Sequence, residues 1–404
     1  MDRWQVYVDA MDEGEFFRAH EVLEESWRLT KSEKEQIAIW IAAAFVHWQR
    51  ENESGALRLF QRVADHPLAS TMPLTPDILS WIDALRQHSR IIRPPRALLR
   101  QLATWADGMP NPMRPPITSG EVSYMIHQQL ADIAREFSGD YALYAQHLET
   151  REIIQFGDTA RPRETASVLK LPVLIEALRQ CQQGERQLTD LLVYEAEDEV
   201  EGSGVMQHLS RGIHLPLRDI LTLMIIVSDN VATNIALRTV GIDRVNALCA
   251  SLGLQATQVV RKITFDPNED RPLGLSSPHD LVMLLTKLYR GEILADPYRH
   301  IAFDILSRQQ YQTLLTRYLP YELISDEEED PPLVRVLSKS GSLSGIRNDA
   351  GLVLTPWGDY AIAIMSERSR DRRFHPDTEA HVILPKASRA VFDYFCGRPQ
   401  GGEP

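Results

Sequence analysis

The sequence has few cysteines, an excess of acidic over basic charge and no long apolar run. Its 3 cysteines among 404 residues are too few for a disulfide framework or a cysteine metal site. A net charge of −13 argues against a nucleic-acid partner. No window of about 18 residues is both apolar and uncharged, so we expect no membrane span and no membrane partner. Free thiols and the lack of a signal-type apolar segment near Met1 lead us to expect a cytoplasmic protein.

What is present indicates a soluble chain of two domains. Apolar residues make up 44% and charged residues 25% of the chain, as in ordinary globular proteins. Residues 1–90 show helical periodicity, with Phe16, Ala19, Leu23 and Trp27 on one stripe, and predict an all-α bundle. Six prolines within residues 91–117 predict a helical and proline-rich linker. A second domain then occupies residues 118–398.

The predicted bundle carries one cluster with the residue types of a metal site. His20 and Glu24 lie one helical turn apart, and His47 lies on the next predicted helix. A histidine and carboxylates from facing helices can bind a divalent cation. The alternative is a buried histidine that hydrogen-bonds to a neighbouring glutamate. We expect the alternative, and therefore no metal and no other cofactor.

The stretch Phe17–Trp27 contains an Ala-His-Glu-x-Leu-Glu-x-x-Trp pattern, and an alanine-rich helix ending at His47 follows it. This segment resembles a small helical family of unknown function. The resemblance implies a fold and neither a chemistry nor a partner.

The second domain reads as strands at both ends and helices between them. Residues 139–157 alternate like two strands joined at Glu149-Thr150, and three further strands follow Pro332. Residues 174–310 are mostly helical in pattern. Early and late strands around a helical insert predict an α+β domain, in which one antiparallel sheet is built from both chain ends and an α-helical lobe lies between them.

The first chemical motif is Ser167-Val-Leu-Lys170. Residues three apart on a helix share a face, and the apolar residues after Lys170 would desolvate its amine. A desolvated lysine has a lowered pKa and can accept the proton of a serine hydroxyl. Alone, the motif fits a surface pair on an amphipathic helix better.

Two later motifs add polar groups. Ser228-Asp-Asn230 follows an apolar run, where Ser228 can relay a proton and Asn230 can present a carboxamide; an Asx-type turn that caps a helix is the alternative. Lys339-Ser340-Gly341-Ser342 ends a predicted strand. There the lysine and Ser340 can bind an anionic group, and the Ser342 amide could form an oxyanion hole with that of Ser167. A polar hairpin is the simpler alternative for this motif.

Together the three motifs, in this order, make residues 120–398 resemble class A β-lactamases and penicillin-binding proteins. The resemblance implies that Ser167 is acylated, Lys170 is its base, Ser228 passes the proton on and Asn230 binds a substrate amide. It further implies that Lys339 and Ser340 hold a substrate carboxylate, with Arg347 as a further candidate. The Glu-x-x-Leu-Asn loop of class A enzymes is missing from residues 261–274. Asp266 and Glu269 are the candidate replacements for its deacylating acid.

We therefore expect a serine hydrolase that forms an acyl-enzyme with a small-molecule amide or ester, β-lactams included. One alternative is an esterase or peptidase with the same site. Another is a scaffold that binds a ligand without turnover.

Overall fold

The computed structural model describes residues 3–30, 32–49, 52–72, 74–86, 99, 102, 119–266, 268–325 and 332–396. The chain divides into two compact units. The first contains Met1–Met125 with the short segments Ser325–Leu333 and Cys396–Pro404, and the second contains Ile126–Ile324 and Val334–Phe395. Apart from Leu99 and Leu102, the linker predicted at 91–117 lies outside the described residues.

The first unit is a helical bundle around an aromatic core, as predicted. The ring centroid of Phe45 lies 5.4 Å from that of Phe60 and 5.0 Å from that of Trp81. Asn52 begins the fourth helix because its side chain accepts a hydrogen bond from the Gly55 amide at 2.8 Å. The helices are α1 (Arg3–Glu13), α2 (Phe16–Thr30), α3 (Glu33–Gln49), α4 (Glu53–Ala64) and α5 (Thr75–Arg86).

The second unit contains a five-stranded antiparallel sheet made of β1 (Asp140–His147), β2 (Ile153–Phe156), β8 (Arg335–Leu343), β9 (Ile346–Leu354) and β10 (Tyr360–Glu367). Their order across the sheet is β2-β1-β10-β9-β8. Tyr141 pairs with Ser366, so strands from opposite ends of this domain lie side by side. This pairing confirms the predicted sheet.

The helical lobe packs around a central helix, α7 (Lys170–Gln182), of which most residues are buried. Its core is aliphatic and continues onto the sheet through Leu337, Ala350 and Leu352. This burial is what removes water from any polar side chain that α7 carries. From Ser119 onward the helices are α6 (Ser119–Glu136), α7 (Lys170–Gln182), α8 (Leu217–Ile226), α9 (Asn230–Val240), α10 (Ile242–Ser251), α11 (Pro278–Tyr289), α12 (Tyr298–Ser307), α13 (Tyr321–Ile324) and α14 (Glu379–Cys396).

Two small sheets complete the second domain. One joins β3 (Arg163–Glu164), β7 (Gly274–Ser276) and β6 (Gln258–Val259), and the other joins β4 (Leu191–Val193) and β5 (His214–Pro216). The first of them ties the segment before Ser167 to the end of the 261–274 loop. Among the helices described, none combines the length and the apolar character that crossing a bilayer requires.

Candidate active site

Ser167 lies in a 3₁₀ turn, Ala166–Leu169, that leads directly into α7. The turn is entered through Ala166, which has a φ of 49°, a left-handed conformation that costs a non-glycine residue about 1–2 kcal/mol. Thr165 anchors the entry, because its amide and its hydroxyl both donate to the Gly274 carbonyl, at 3.0 and 3.1 Å. The turn is thus held from outside, and Ser167 stays partly exposed.

Lys170 is fully buried at the start of α7. Its Nζ donates to the Ser228 carbonyl at 2.7 Å, to Ser228 Oγ at 3.0 Å and to Asn230 Oδ1 at 3.1 Å. Burial holds the pKa of Lys170 well below its usual value, the charge of Lys339 lowers it further, and Asp229 opposes the shift. The structure therefore brings the first two motifs together. Within the described ranges, the hydrogen bonds of the Lys170 amine go to these three acceptors and not to Ser167.

The Ser228-Asp229-Asn230 turn is backed by its central aspartate. Asp229 caps α9 through the Ala232 amide at 2.9 Å, and its Oδ2 accepts from the amides of Val205 and Met206 at 2.7 and 2.8 Å. Ser228 has a φ of 53°, again in the left-handed region. Asn230 Nδ2 donates to the Glu201 carbonyl at 3.1 Å, which leaves its second proton for another acceptor.

The third motif lies on β8, one of the two edge strands of the large sheet. At Gly341 an added Cβ would lie 2.8 Å from the Ser167 nitrogen and 2.9 Å from the Thr165 oxygen. The strand and the Ser167 turn are therefore in direct backbone contact. Ser342 follows on the same edge and is exposed.

Lys339, on the same strand, is fully buried, and its Nζ donates to the Ser340 carbonyl at 2.7 Å. Burial lowers the pKa of Lys339 to about 7, while the charge of Asp349 opposes that shift. Burial in turn raises the pKa of Asp349 to about 7. Both groups therefore change charge near neutral pH.

The other candidates of the second domain make contacts elsewhere. Asp266 Oδ1 accepts from the Asn268 amide at 2.9 Å, and Glu269 pairs with Arg271 at 2.7 Å, which lowers the pKa of Glu269 to about 2. Both contacts stay within the 261–274 loop. Arg347 Nη1 donates to the carbonyls of Leu343 and Ile346, at 2.6 and 2.7 Å, and Nη2 to that of Arg373. These contacts direct the guanidinium to backbone carbonyls.

In the first unit, His20 and Glu24 are both buried, with Nδ1 and Oε2 3.4 Å apart. His47 Nδ1 instead lies 3.1 Å from Asn52 Nδ2. Within the described ranges, no group of three or more His, Cys, Asp or Glu residues is arranged to hold a metal ion.

Two asparagines that the motifs did not single out complete the surroundings of the site. Asn234 holds the 261–274 loop, because its side chain donates to the Ile263 carbonyl at 3.0 Å and accepts from the Ile263 amide at 2.8 Å. Asn348 donates to the carbonyls of Glu164 and Thr165. An asparagine four residues after Asn230 lies one helical turn away, so Asn234 could have been found from spacing. Asn348 had no such signal.

Residues 125–395 match a family model described as the beta-lactamase enzyme family. The chain belongs to the beta-lactamase enzyme family. Residues 4–59 match a second model, described as a domain of unknown function, DUF309. No curated protein matches the chain.

Solved structures agree with the family and the fold. A beta-lactamase from Sphaerobacter thermophilus is 29% identical, with a TM-score of 0.60, over 67% of this chain and 98% of that one. A mutant of PBP-A, solved as its acyl-enzyme complex with penicillin G, is 24% identical, with a TM-score of 0.58, over 70% of this chain and 99% of that one. A class A beta-lactamase from Mycobacterium abscessus is 21% identical, with a TM-score of 0.58, over 67% of this chain and 99% of that one. This beta-lactamase family member therefore has the class A fold with a helical domain before it.

Proposed function

We propose that this protein is a serine hydrolase that forms an acyl-enzyme through Ser167. The observation that carries the proposal is the buried Lys170 amine, 3.0 Å from Ser228 Oγ, one helical turn after a partly exposed serine. A lysine with a depressed pKa can serve as a base near neutral pH. The family and the fold make acyl transfer the reaction to test first.

Acylation then proceeds through groups already in place. Ser167 Oγ attacks the substrate carbonyl and its proton passes to the neutral amine of Lys170; catalytic hydrogen bonds are often long without substrate and tighten when it binds. The proton travels from Lys170 through Ser228 to the leaving nitrogen or oxygen as the carbonyl bond to that atom breaks. The Lys170–Ser228 distance of 3.0 Å suits this relay.

The site also favours a substrate with a carboxylate. Lys339 and Ser340 lie next to Gly341, the residue that touches the Ser167 turn. Lys339 carries a positive charge below pH 7, because its pKa is about 7. An amide or ester whose carboxylate lies close to the reacting carbonyl, such as a β-lactam, matches this spacing of charge and nucleophile.

Deacylation has weaker support than acylation. Glu269 is held by Arg271 with a pKa of about 2, which makes it a poor base. Asp266 is exposed and bonded within its own loop. Asn234 anchors that loop through the backbone of Ile263, whose apolar side chain cannot act as a base. We therefore propose that the acyl-enzyme is long-lived and that turnover is slow.

A fluorescent penicillin tests the proposal on the full chain. We expect covalent labelling of the wild type and of the surface control Ser251→Ala, and a loss of about 10⁴–10⁶-fold in rate for Ser167→Ala. Mass spectrometry of the adduct over time measures deacylation, and nitrocefin and p-nitrophenyl esters separate lactamase from esterase turnover. Equal labelling of Ser167→Ala would refute the nucleophile. Reversible binding without a covalent adduct would favour a ligand-binding scaffold.

A further inference from the structure

Asn348 reaches from the large sheet to the backbone just before Ser167. On β9 it is the register partner of Gly341 on β8. Its Nδ2 donates to the Glu164 carbonyl at 2.9 Å and to the Thr165 carbonyl at 3.1 Å. Its Oδ1 accepts from the Ser366 amide at 2.9 Å. The side chain is 1% exposed, so it bridges β9, β10 and the entry to the Ser167 turn out of contact with water.

The Glu164 carbonyl is the acceptor that a regular 3₁₀ turn would use for the Ser167 amide, since such turns join residue i to residue i−3. The next amide follows this rule, because the Val168 nitrogen donates to the Thr165 carbonyl at 3.2 Å. The Ser167 amide does not. In the part of the chain that the structure describes, the Ser167 amide has no hydrogen-bond partner. The Glu164 carbonyl instead accepts a hydrogen bond from the Asn348 side chain. The left-handed Ala166 turns the peptide away from that acceptor.

The Ser167 amide is therefore a backbone donor that stays available beside β8. The hairpin of β8 and β9 turns through two residues, with Leu343 paired to Ile346. Antiparallel pairing alternates, so every second residue of an edge strand directs its backbone groups off the sheet. Counting back from Leu343, Ser342 is such a residue. Its amide and that of Ser167 lie on either side of Gly341, whose backbone touches the turn.

We propose that Asn348 is a positioning residue that keeps the Ser167 amide available for the oxyanion of the tetrahedral intermediate. It does so by occupying the Glu164 carbonyl and by fixing Thr165, the residue before the strained Ala166. Asn348 itself touches no substrate. This inference rests on the proposed acyl-enzyme chemistry and adds to it the device that holds one of the two oxyanion donors.

Removal of the Asn348 amide should slow the covalent step and leave recognition intact. In Asn348→Ala the carbonyls of Glu164 and Thr165 both lose their donor, so the strained turn at Ala166 can relax until the Ser167 amide reaches the Glu164 carbonyl, as in an ordinary 3₁₀ turn. Loss of one oxyanion donor lowers acyl transfer by about 10²–10³-fold. The carboxylate contacts of Lys339 and Ser340 are unchanged, so reversible binding before acylation should stay within about 3-fold.

The experiment measures three quantities on the full chain. Stopped-flow labelling with fluorescent penicillin gives the acylation rate constant and the dissociation constant of the reversible complex. Titration with phenylboronic acid, which forms a tetrahedral adduct on a serine oxygen, gives the affinity for an oxyanion mimic. For Asn348→Ala we expect about 100-fold slower acylation and a similar loss of boronate affinity, with unchanged reversible binding. If this variant does not fold, Asn348→Asp keeps the volume and the acceptor for Ser366.

Asn246 provides a matched control. Its side chain makes the same kind of clamp, donating to the Val259 carbonyl at 2.9 Å and accepting from the Val259 amide at 2.8 Å. Asn246→Ala should lower the unfolding midpoint and leave acylation and boronate affinity unchanged. Equal acylation rates in wild type and Asn348→Ala would overturn the inference, as would an equal loss in Asn246→Ala. Failure of the wild type to be labelled would refute the proposed function instead.

Discussion

Asp349 offers the sharpest test of the electrostatics beneath the site. It lies on β9 as the register partner of Ser340, 2% exposed, and its Oδ2 accepts from the Leu315 amide at 3.2 Å. Burial raises the pKa of this carboxyl from 3.8 to about 7, an effect that the Leu315 amide and the Lys339 charge oppose only in part. Asp349→Asn keeps the shape and the acceptor and removes the ionisation.

The sign and size of the effect follow from the pKa difference. Because the folded pKa is raised, the stability contributed by Asp349 is fully present below pH 3.8 and is lost as the pH rises through about 7. The folded and unfolded pKa of Asp349 differ by about 3, which corresponds to about 4 kcal/mol in the free energy of unfolding. The pH dependence from Lys339 has the opposite sign, because its pKa is lowered on folding. The stability that Lys339 contributes is present above pH 10.5 and is lost as the pH falls through about 7. These two groups together predict a minimum of stability near pH 7.

Urea unfolding followed by circular dichroism at pH 4, 5.5 and 7 measures the difference between variant and wild type. We expect near-equal stability at pH 4 and a gain of about 2–4 kcal/mol for Asp349→Asn at pH 7, reduced because Lys339 loses an attractive charge. The same charge change at exposed Asp243 should give a difference that does not vary with pH. A constant difference for Asp349→Asn as well would refute the reasoning.

The remaining predictions concern β8. Gly341→Ala places a methyl group 2.8 Å from the Ser167 nitrogen, so we expect penicillin labelling at least about 100-fold slower; a wild-type rate would contradict the contact. Lys339→Arg keeps its charge at every pH, whereas wild-type Lys339 loses charge as the pH rises through about 7. Because Lys170 acts as the base in both proteins, the ratio of the variant labelling rate to the wild-type rate should rise from pH 6 to 9, and a constant ratio would rule out this role.

The sheet of the second domain was predictable because its signals are local. Alternation near Glu149 and after Pro332 marks strands whichever partner they later find. The pairing of Tyr141 with Ser366 then follows from the need to cover both early and late strands in one sheet. The three motifs are also short, so their residues could be named without any structure.

What remained hidden depends on contacts between distant residues. Asn348 acts on Glu164, 184 positions away, and neither spacing nor composition links the two. The path of the Lys170 side chain was equally hidden. A helical spacing of three predicts that Lys170 shares a face with Ser167, but it cannot show that the amine also donates to Ser228 and Asn230, which lie 58 and 60 positions along the chain.

The turn at 228–230 shows why a structural and a functional interpretation of one motif need not compete. The structural interpretation of the turn as a helix cap is correct, because Asp229 accepts a hydrogen bond from the Ala232 amide at 2.9 Å. The same carboxylate also accepts the amides of Val205 and Met206, and charge-assisted bonds of this kind stabilise by about 1.5–3 kcal/mol each. That energy exceeds the strain of a left-handed Ser228, about 1–2 kcal/mol. The cap therefore stabilises the same turn whose Ser228 hydroxyl and carbonyl accept hydrogen bonds from Lys170.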